Sequence, residues 1–187
     1  MEKKRMNKKI LVACGLLVAG YSMMASAVSD NTISFQGEVT DETCSLTVNG
    51  NETSPIILLP TVSTSDLATS GSFAGATTFE MGVSGCTGTS GDDAAETAIS
   101  TVFSGNLVET VNGTLGNTGT AENVTVQILD TAGTAINLSS TYTAEGDLTL
   151  AAGDTASTAT YTAQYYATDV AAAGTVAASM QYAISYQ

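Results

Sequence analysis

The chain has 187 residues, a formal net charge of −13, no histidine and no tryptophan. All of its lysine and arginine residues lie between positions 3 and 9, so residues 10–187 carry no cationic side chain. That part of the chain therefore cannot neutralise phosphates as nucleic-acid or anionic-lipid binding requires, and catalysis by histidine or lysine is excluded.

The first 27 residues have the layout of a secretory signal peptide. The positive residues from Lys3 to Lys9 precede an apolar run over residues 10–19, and Ala25-Ser26-Ala27 is a small-x-small cleavage site. The apolar run is too short to span a membrane as a helix. We expect removal of residues 1–27 and no membrane insertion of the remaining chain. A lipoprotein cleavage site at Cys14 is the alternative, but few apolar residues separate Cys14 from Lys9.

Two cysteines remain after residue 27, Cys44 and Cys86. In an exported protein such a pair predicts a disulfide, and the alternative is two free thiols. A bridge that closes this loop stabilises a fold by on the order of 4 kcal/mol in the chain-entropy model.

The rest of the chain alternates between apolar and polar residues with the period of two that β-strands have. The apolar run 55–60 lies between two prolines and is predicted as a buried or edge strand. Residues 87–97 and 112–123 are predicted as surface loops. Many short strands separated by turns are typical of a sandwich or barrel, so we expect one all-β domain. The other predicted strands, in chain order, lie at 33–39, 79–83, 124–128, 136–138, 148–150, 161–167 and 176–186.

Few groups for catalysis or metal binding are present. Carboxylates remain, but tryptophan and the cations that usually help to hold a sugar beside a carboxylate pair are absent. We therefore expect no enzyme activity, no catalytic residue, no cofactor and no metal site. Asp92, Asp93 and Glu96 could ligate calcium, but their spacing matches no calcium loop, and a solvated acidic loop is the favoured alternative.

Three segments together resemble the pilin subunits of chaperone–usher fimbriae, of the type 1 and P-pilus kind. Each segment combines period-two alternation with a cysteine, a glycine or a terminal aromatic at a characteristic position. The segments are Ile33-x-Phe35-x-Gly37-x-Val39 before Cys44, Phe79-x-Met81-x-Val83-x-x-Cys86, and Gly174 followed by Val176, Ala178, Met180, Tyr182, Ile184 and the penultimate Tyr186.

The resemblance implies an incomplete immunoglobulin-like β-sandwich that is completed by a donor strand from a neighbouring subunit. A missing strand leaves an apolar groove and unpaired backbone groups at a sheet edge. In the family, a periplasmic fimbrial chaperone first lends a strand to this groove. At the outer-membrane usher, the amino-terminal extension of the next subunit replaces it by β-strand addition. The implied partners are the chaperone, the usher, and identical or related pilin subunits.

The resemblance also implies a role for each end of the chain. Residues 28–40 are expected to be the donor-strand extension, and residues 41–187 the pilin domain. The carboxyl-terminal strand from Gly174 to Tyr186 is expected to contact the chaperone. Asn31 is polar and departs from the pattern of the donor face. The residues expected on the face that enters the neighbour's groove are Ile33, Phe35, Gly37 and Val39.

The predicted function is a structural fimbrial subunit that polymerises by donor-strand exchange into a surface fibre used in adhesion. The chain would be exported through the periplasm to the cell-surface fimbrium. The alternative is a secreted adhesin or another immunoglobulin-like binding module. Adhesins of this family usually carry a lectin domain before the pilin domain, and residues 28–187 leave no room for one.

Overall fold

The computed structural model describes residues 43–53, 55–87 and 96–186, all within one compact unit, Gly37–Gln187. The expected signal peptide, the donor residues Ile33, Phe35, Gly37 and Val39, and the acidic residues Asp92 and Asp93 lie outside these ranges. Within them no helix is long and apolar enough to cross a membrane. The elements are β1 (Thr43–Val48), a 3₁₀ turn η1 (Thr64–Leu67), β2 (Phe73–Thr87), β3 (Thr97–Gly105), β4 (Val108–Glu109), β5 (Thr114–Leu115), β6 (Val124–Leu129), β7 (Tyr142–Leu150), β8 (Ala156–Ala167) and β9 (Met180–Tyr186).

The strands form two antiparallel sheets that pack face to face. The larger sheet has the order β1-β2-β8-β6-β5-β4, and the smaller one has the order β7-β3-β9. Their inner faces share one apolar core, to which both sheets contribute fully buried side chains such as Met81 and Phe103. The expectation of an all-β sandwich is therefore confirmed.

The pair β2 and β8 forms the centre of the larger sheet. Phe79, Met81 and Val83 alternate along β2, and each side chain is buried. On β8 the buried Tyr161 and Ala163 continue the same inner face. Period-two alternation thus located both strands, because one face of each lies against the core.

The disulfide between Cys44 and Cys86 is present, so the predicted pairing is confirmed. It joins β1 to the end of β2, next to a break in the register of the two strands between Thr43 and Ser45. The bridge therefore fixes one edge of the larger sheet at the point where its hydrogen-bond ladder is irregular.

Several boundaries differ from the predicted ones. Residues 112–123 are not wholly a surface loop, because Thr114 and Leu115 are buried in β5 and Leu115 pairs with Val126. The run 55–60 is in no strand; its terminal prolines have no N–H group to donate to a ladder. The last strand begins at Met180 rather than near Val176.

Candidate functional site

An apolar groove crosses the inner face of the larger sheet beside the last strand. It encloses a cavity of about 490 Å³. Its floor is formed by side chains from β1, β2, β5, β6 and β8, and its two sides are formed by residues 55–59 and 176–182. The floor residues are Val48, Phe79, Met81, Leu115, Val126, Ile128, Ala163 and Tyr165.

The first side of the groove is the extended segment from Pro55 to Leu59. Ile57 and Leu59 are half-buried and pack against the core, whereas the side chains of Ile56 and Leu58 are 80% and 82% exposed. The segment thus has the alternation of a strand without a ladder of strand hydrogen bonds among the described residues. Its inner side chains border the groove, and its outer ones face solvent.

The second side is the stretch that leads into β9. Val176, Met180 and Tyr182 are half-buried apolar residues that line the groove or pack on the core. Within the described part of the chain β9 is an edge strand, paired on one side with β3, where Tyr182 lies opposite Phe103. The groove therefore runs beside a sheet edge, which presents backbone groups to a further strand.

The beginning of this second side, before Met180, is hydrogen-bonded to the loop at residues 117–121 and, among the described residues, not to a neighbouring strand. The N–H groups of Thr118 and Ala121 donate to the carbonyls of Ala177 and Thr175, at 2.8 and 3.0 Å. The side chain of Asn117 accepts from the N–H of Ala177 at 2.9 Å. These bonds replace a sheet ladder, which is why the strand that alternation predicted to run from 176 begins only at Met180.

Two glycines allow the loop and this segment to approach closely. A Cβ atom at Gly174 would collide with the backbone of Thr120 and Ala121. A Cβ at Gly119 would collide with the backbone of Thr175. The glycine that sequence analysis singled out at 174 is therefore required by packing against the loop.

The other residues expected on the carboxyl-terminal strand divide into two groups. Met180, Tyr182, Ile184 and Tyr186 lie in β9, are half-buried and pack against the core. Val176 precedes the strand and packs on both apolar clusters, whereas Ala178 is exposed. The alternation of burial thus holds from Met180 to Ile184 and is interrupted at Ala178, before the strand begins.

A smaller cavity of about 420 Å³ continues the groove beyond Val176. It lies between η1 and the stretch from Ala171 to Val176, and it shares Tyr165 and Val176 with the groove. Leu67 and Val124 contribute buried apolar side chains to its wall. The apolar channel therefore extends beyond the start of β9.

The lining of the groove is predominantly apolar. It includes no acidic or cysteine side chain. Elsewhere among the described residues no group of three or more histidine, cysteine, aspartate or glutamate residues could hold a metal ion. Apolar side chains beside a strand edge can take up alternate side chains of an added strand while the edge pairs with its backbone.

The sequence matches the family model for fimbrial protein over residues 33–187. It is 37% identical over 184 residues to the F17 fimbrial protein of Escherichia coli, an alignment that covers 96% of this chain and 99% of the relative. It is 30% identical over 191 residues to the S-fimbrial protein subunit SfaA of Escherichia coli O6:K15:H31, with 100% of both chains covered.

Two solved structures share the fold with a TM-score of 0.55 and 18% sequence identity each. One is the P pilus rod subunit PapA, for which the match covers 76% of this chain and 99% of that chain. The other comes from a chaperone–usher pilus studied for rod uncoiling, and it covers 87% of this chain and 100% of that chain. Both likenesses concern the sandwich fold.

Proposed function

This chain belongs to the fimbrial protein family and is a structural subunit of a fimbria, and from that premise we propose that it polymerises by donor-strand exchange. The groove beside β9 accepts a β-strand from the amino-terminal extension of a neighbouring subunit. The same chain gives its own residues 28–40 to the next subunit. No enzyme activity is part of this function.

The observation that carries the proposal is an apolar groove that runs along a sheet edge. The half-buried Ile57 and Leu59 form one side of the groove, Met180 and Tyr182 form the other, and a floor of buried apolar side chains lies between them. A strand that lies between the two sides would bury its own apolar side chains and those of the groove. Its backbone would pair with β9. Main-chain bonds then supply affinity, and pockets for alternate side chains supply specificity.

The proposed donor segment fits this groove in length and pattern. The seven residues from Ile33 to Val39 span about 23 Å as a strand, and β9 is also seven residues long. As a strand, this segment would place Ile33, Phe35, Gly37 and Val39 on one face, because side chains alternate along a strand. Gly37 has no side chain, so we infer that the two backbones approach closely at that point.

The partners and location follow from the same mechanism. After removal of residues 1–27, a periplasmic chaperone would occupy the groove and contact the stretch from Gly174 to Tyr186. An outer-membrane usher would then exchange the chaperone for the next subunit, which places the chain in a surface fibre used in adhesion. Basic residues on such a chaperone would complement residues 10–187, which have no cationic side chain.

The experiment alters the donor face and leaves the groove intact. Phe35→Asp places a charge in an apolar site, which costs several kcal/mol without a partner. Gly37→Arg places a large side chain where the backbones approach. We expect both variants to lose fibres on the cell surface and still to co-purify with the chaperone, because the donor segment is not part of that contact.

The matched controls are Ser34→Asp and Gln36→Arg, which make the same changes on the opposite face of the donor strand. These should assemble normally. Normal fibre yield from Phe35→Asp and Gly37→Arg contradicts the donor assignment. Loss of chaperone binding in those variants would place Ile33–Val39 in the subunit's own core.

A further inference from the structure

A half-buried carboxylate links the two sheets beneath the groove. The hydroxyl of Tyr161, on β8 of the larger sheet, donates to Oδ2 of Asp147, on β7 of the smaller sheet, at 2.6 Å. Thr101 on β3 donates to the same carboxylate twice, from its N–H to Oδ1 at 2.7 Å and from its hydroxyl to Oδ2 at 2.8 Å. Tyr161 and Thr101 are fully buried.

A bulge in β7 places this carboxylate. Ile99 lies opposite Leu148 and Thr101 lies opposite Ala144, so three residues of β7 face the single residue Ser100. Gly146 within the bulge has a φ of 62°, a conformation that other residues rarely adopt, and its N–H donates to Oγ of Ser100 at 2.9 Å. Bulges re-aim side chains and are frequent beside functional sites.

The three bonds to Asp147 are all donated to it, and no cationic side chain of residues 10–187 is available to pair with it. Desolvation, and then the hydrogen bond to Asp147 and its negative charge, raise the pKa of Tyr161 well above the usual range. The phenol therefore remains a donor. Charge-assisted bonds of this kind are short, directional and stronger than neutral ones.

The ring of Tyr161, held in place by its hydroxyl, packs against an aromatic residue in the floor of the groove. It stacks on Phe79 with the ring centroids 5.8 Å apart and meets Phe103 edge to face at 5.0 Å. Phe79 lies directly opposite Tyr161 in the register of β2 and β8, and its side chain lines the groove. A hydroxyl held at one end of Tyr161 thus orients the aromatic floor at the other.

We infer that Asp147 is a positioning residue for strand uptake, which holds Tyr161 and, through it, Phe79 so that the groove stays open and shaped before a donor strand enters. This rests on the proposed function. An unfilled groove leaves the floor without packing on one side, so an aromatic ring there is free to move into the space unless it is held from behind. The hydrogen bonds of Asp147 supply that restraint.

A purely structural role predicts different behaviour. Asp147→Leu leaves the buried donors of Tyr161 and Thr101 without their acceptor, so it should lower stability as well as slow uptake. Tyr161→Phe removes one bond and leaves Asp147 its two bonds from Thr101, so it can slow strand uptake with little change in the stability of the strand-filled subunit. If the residue acted only on stability, the rate of strand uptake and the stability of the strand-filled subunit would change together.

The test uses the complex of the mature chain with its periplasmic chaperone and a synthetic peptide of residues 28–40. The measured quantities are the rate of chaperone release by the peptide and the thermal stability of the peptide-filled subunit. The variants are Asp147→Asn, Asp147→Leu and Tyr161→Phe, and the control is Glu80→Gln, an exposed carboxylate next to Phe79. A second peptide, with Phe35→Leu, measures selectivity.

We expect the Asp147 and Tyr161 variants to slow uptake by about tenfold, the factor that corresponds to one charge-assisted bond. Their preference for the natural peptide over the Phe35→Leu peptide should fall, because a less rigid floor discriminates less. Asp147→Asn and Tyr161→Phe combined should be slowed by less than the product of the two single effects, since both act on the bond between Tyr161 and Asp147.

Wild-type uptake rates and selectivity in all three variants would overturn the inference. Slower uptake with unchanged selectivity, in step with lost thermal stability, would also overturn it and leave a structural role. A wild-type complex that takes up no peptide at all would instead refute donor-strand exchange itself, so the two failures are distinguishable.

Discussion

The N–H of Cys44 donates a hydrogen bond of 3.1 Å to the phenolic oxygen of Tyr186. The disulfide residue of the first described strand is therefore bonded to the penultimate residue of the chain. Cys44 belongs to the larger sheet and Tyr186 to the smaller one, so the bond closes the sandwich at the end where β1 and β9 meet.

Tyr186→Phe removes this bond and retains the aromatic ring. We expect the free energy of unfolding to fall by about 1 kcal/mol, the usual contribution of one hydrogen bond. Urea unfolding of the strand-filled subunit measures it. Tyr182→Phe is the matched control on the same strand, since the hydroxyl of Tyr182 has no bonded partner among the described residues, and it should be neutral. An equal effect of both changes would contradict a specific role for the bond.

Ile57→Asp tests the groove from its accepting side. Ile57 is half-buried at the groove, so a carboxylate there faces an apolar site at a cost of several kcal/mol. The variant should still donate its own strand but should fail to accept one, and fibres should become few and short. Ile56→Asp is the matched control, because that side chain is 80% exposed. Electron microscopy measures the number and length of fibres for each variant. Full-length fibres from Ile57→Asp would exclude this groove as the acceptor.

Reduction of the Cys44–Cys86 disulfide should lower the free energy of unfolding by about 4 kcal/mol in the chain-entropy model. Equilibrium unfolding with and without reductant measures this difference. Alkylation of the unreduced, denatured chain should label neither residue. Two labelled thiols in the mature protein would show that the bond does not form in the cell.

Alkaline pH should destabilise the fold through Tyr161, whose pKa is raised by burial and by Asp147. A raised pKa favours the neutral phenol in the folded state, so its stabilising contribution is present below the usual tyrosine pKa of about 10. The contribution is lost as the pH rises above that value and the unfolded chain ionises first. Tyr161→Phe should show a flatter decline in urea unfolding between neutral and alkaline pH, and parallel declines would contradict the assignment.

Trypsin should not cut the mature protein even after denaturation, since residues 10–187 contain no lysine or arginine. Amine-reactive reagents should label only the new amino terminus at Val28. Mass spectrometry reads out both results. A second labelled amine, or a mass that includes residues from before Val28, would place the processing site elsewhere.

Alternation located the strands whose two faces differ most. Phe79, Met81 and Val83 on β2, and Tyr161 and Ala163 on β8, are buried apolar side chains separated by polar residues or glycine, so the period of two is visible in the sequence. The disulfide followed from the presence of two cysteines after residue 27. The central strands of the larger sheet, β2 and β8, could therefore be predicted from the sequence.

The strand β3 escaped prediction because its inner face mixes polar and apolar residues. Ile99 and Phe103 flank Thr101, and all three are fully buried. Thr101 is buried because Asp147 accepts its two hydrogen bonds, and no local pattern signals a bond between residues 46 positions apart. A threonine between two large apolar residues at period two is the signal that could have identified this strand.

The groove could be anticipated only through the resemblance to fimbrial subunits. Its sides come from residues 55–59 and 176–182, and nothing in either segment indicates that they lie across from each other. The support of Gly174 and Thr175 by residues 117–121 was also not predictable, because loop contacts depend on tertiary placement rather than periodicity. The glycines at 119 and 174 are the sequence features that permit that close approach, and only Gly174 was singled out from the sequence.

The disulfide between Cys44 and Cys86 has a mechanical consequence for a fibre under tension. A pull on the amino-terminal end of the domain enters at β1 and crosses the covalent bridge directly to the end of β2, so the 42-residue separation is bypassed. That segment would otherwise add about 150 Å of slack when fully extended. The load passes instead into the long pairing of β2 with β8, where many hydrogen bonds resist it together.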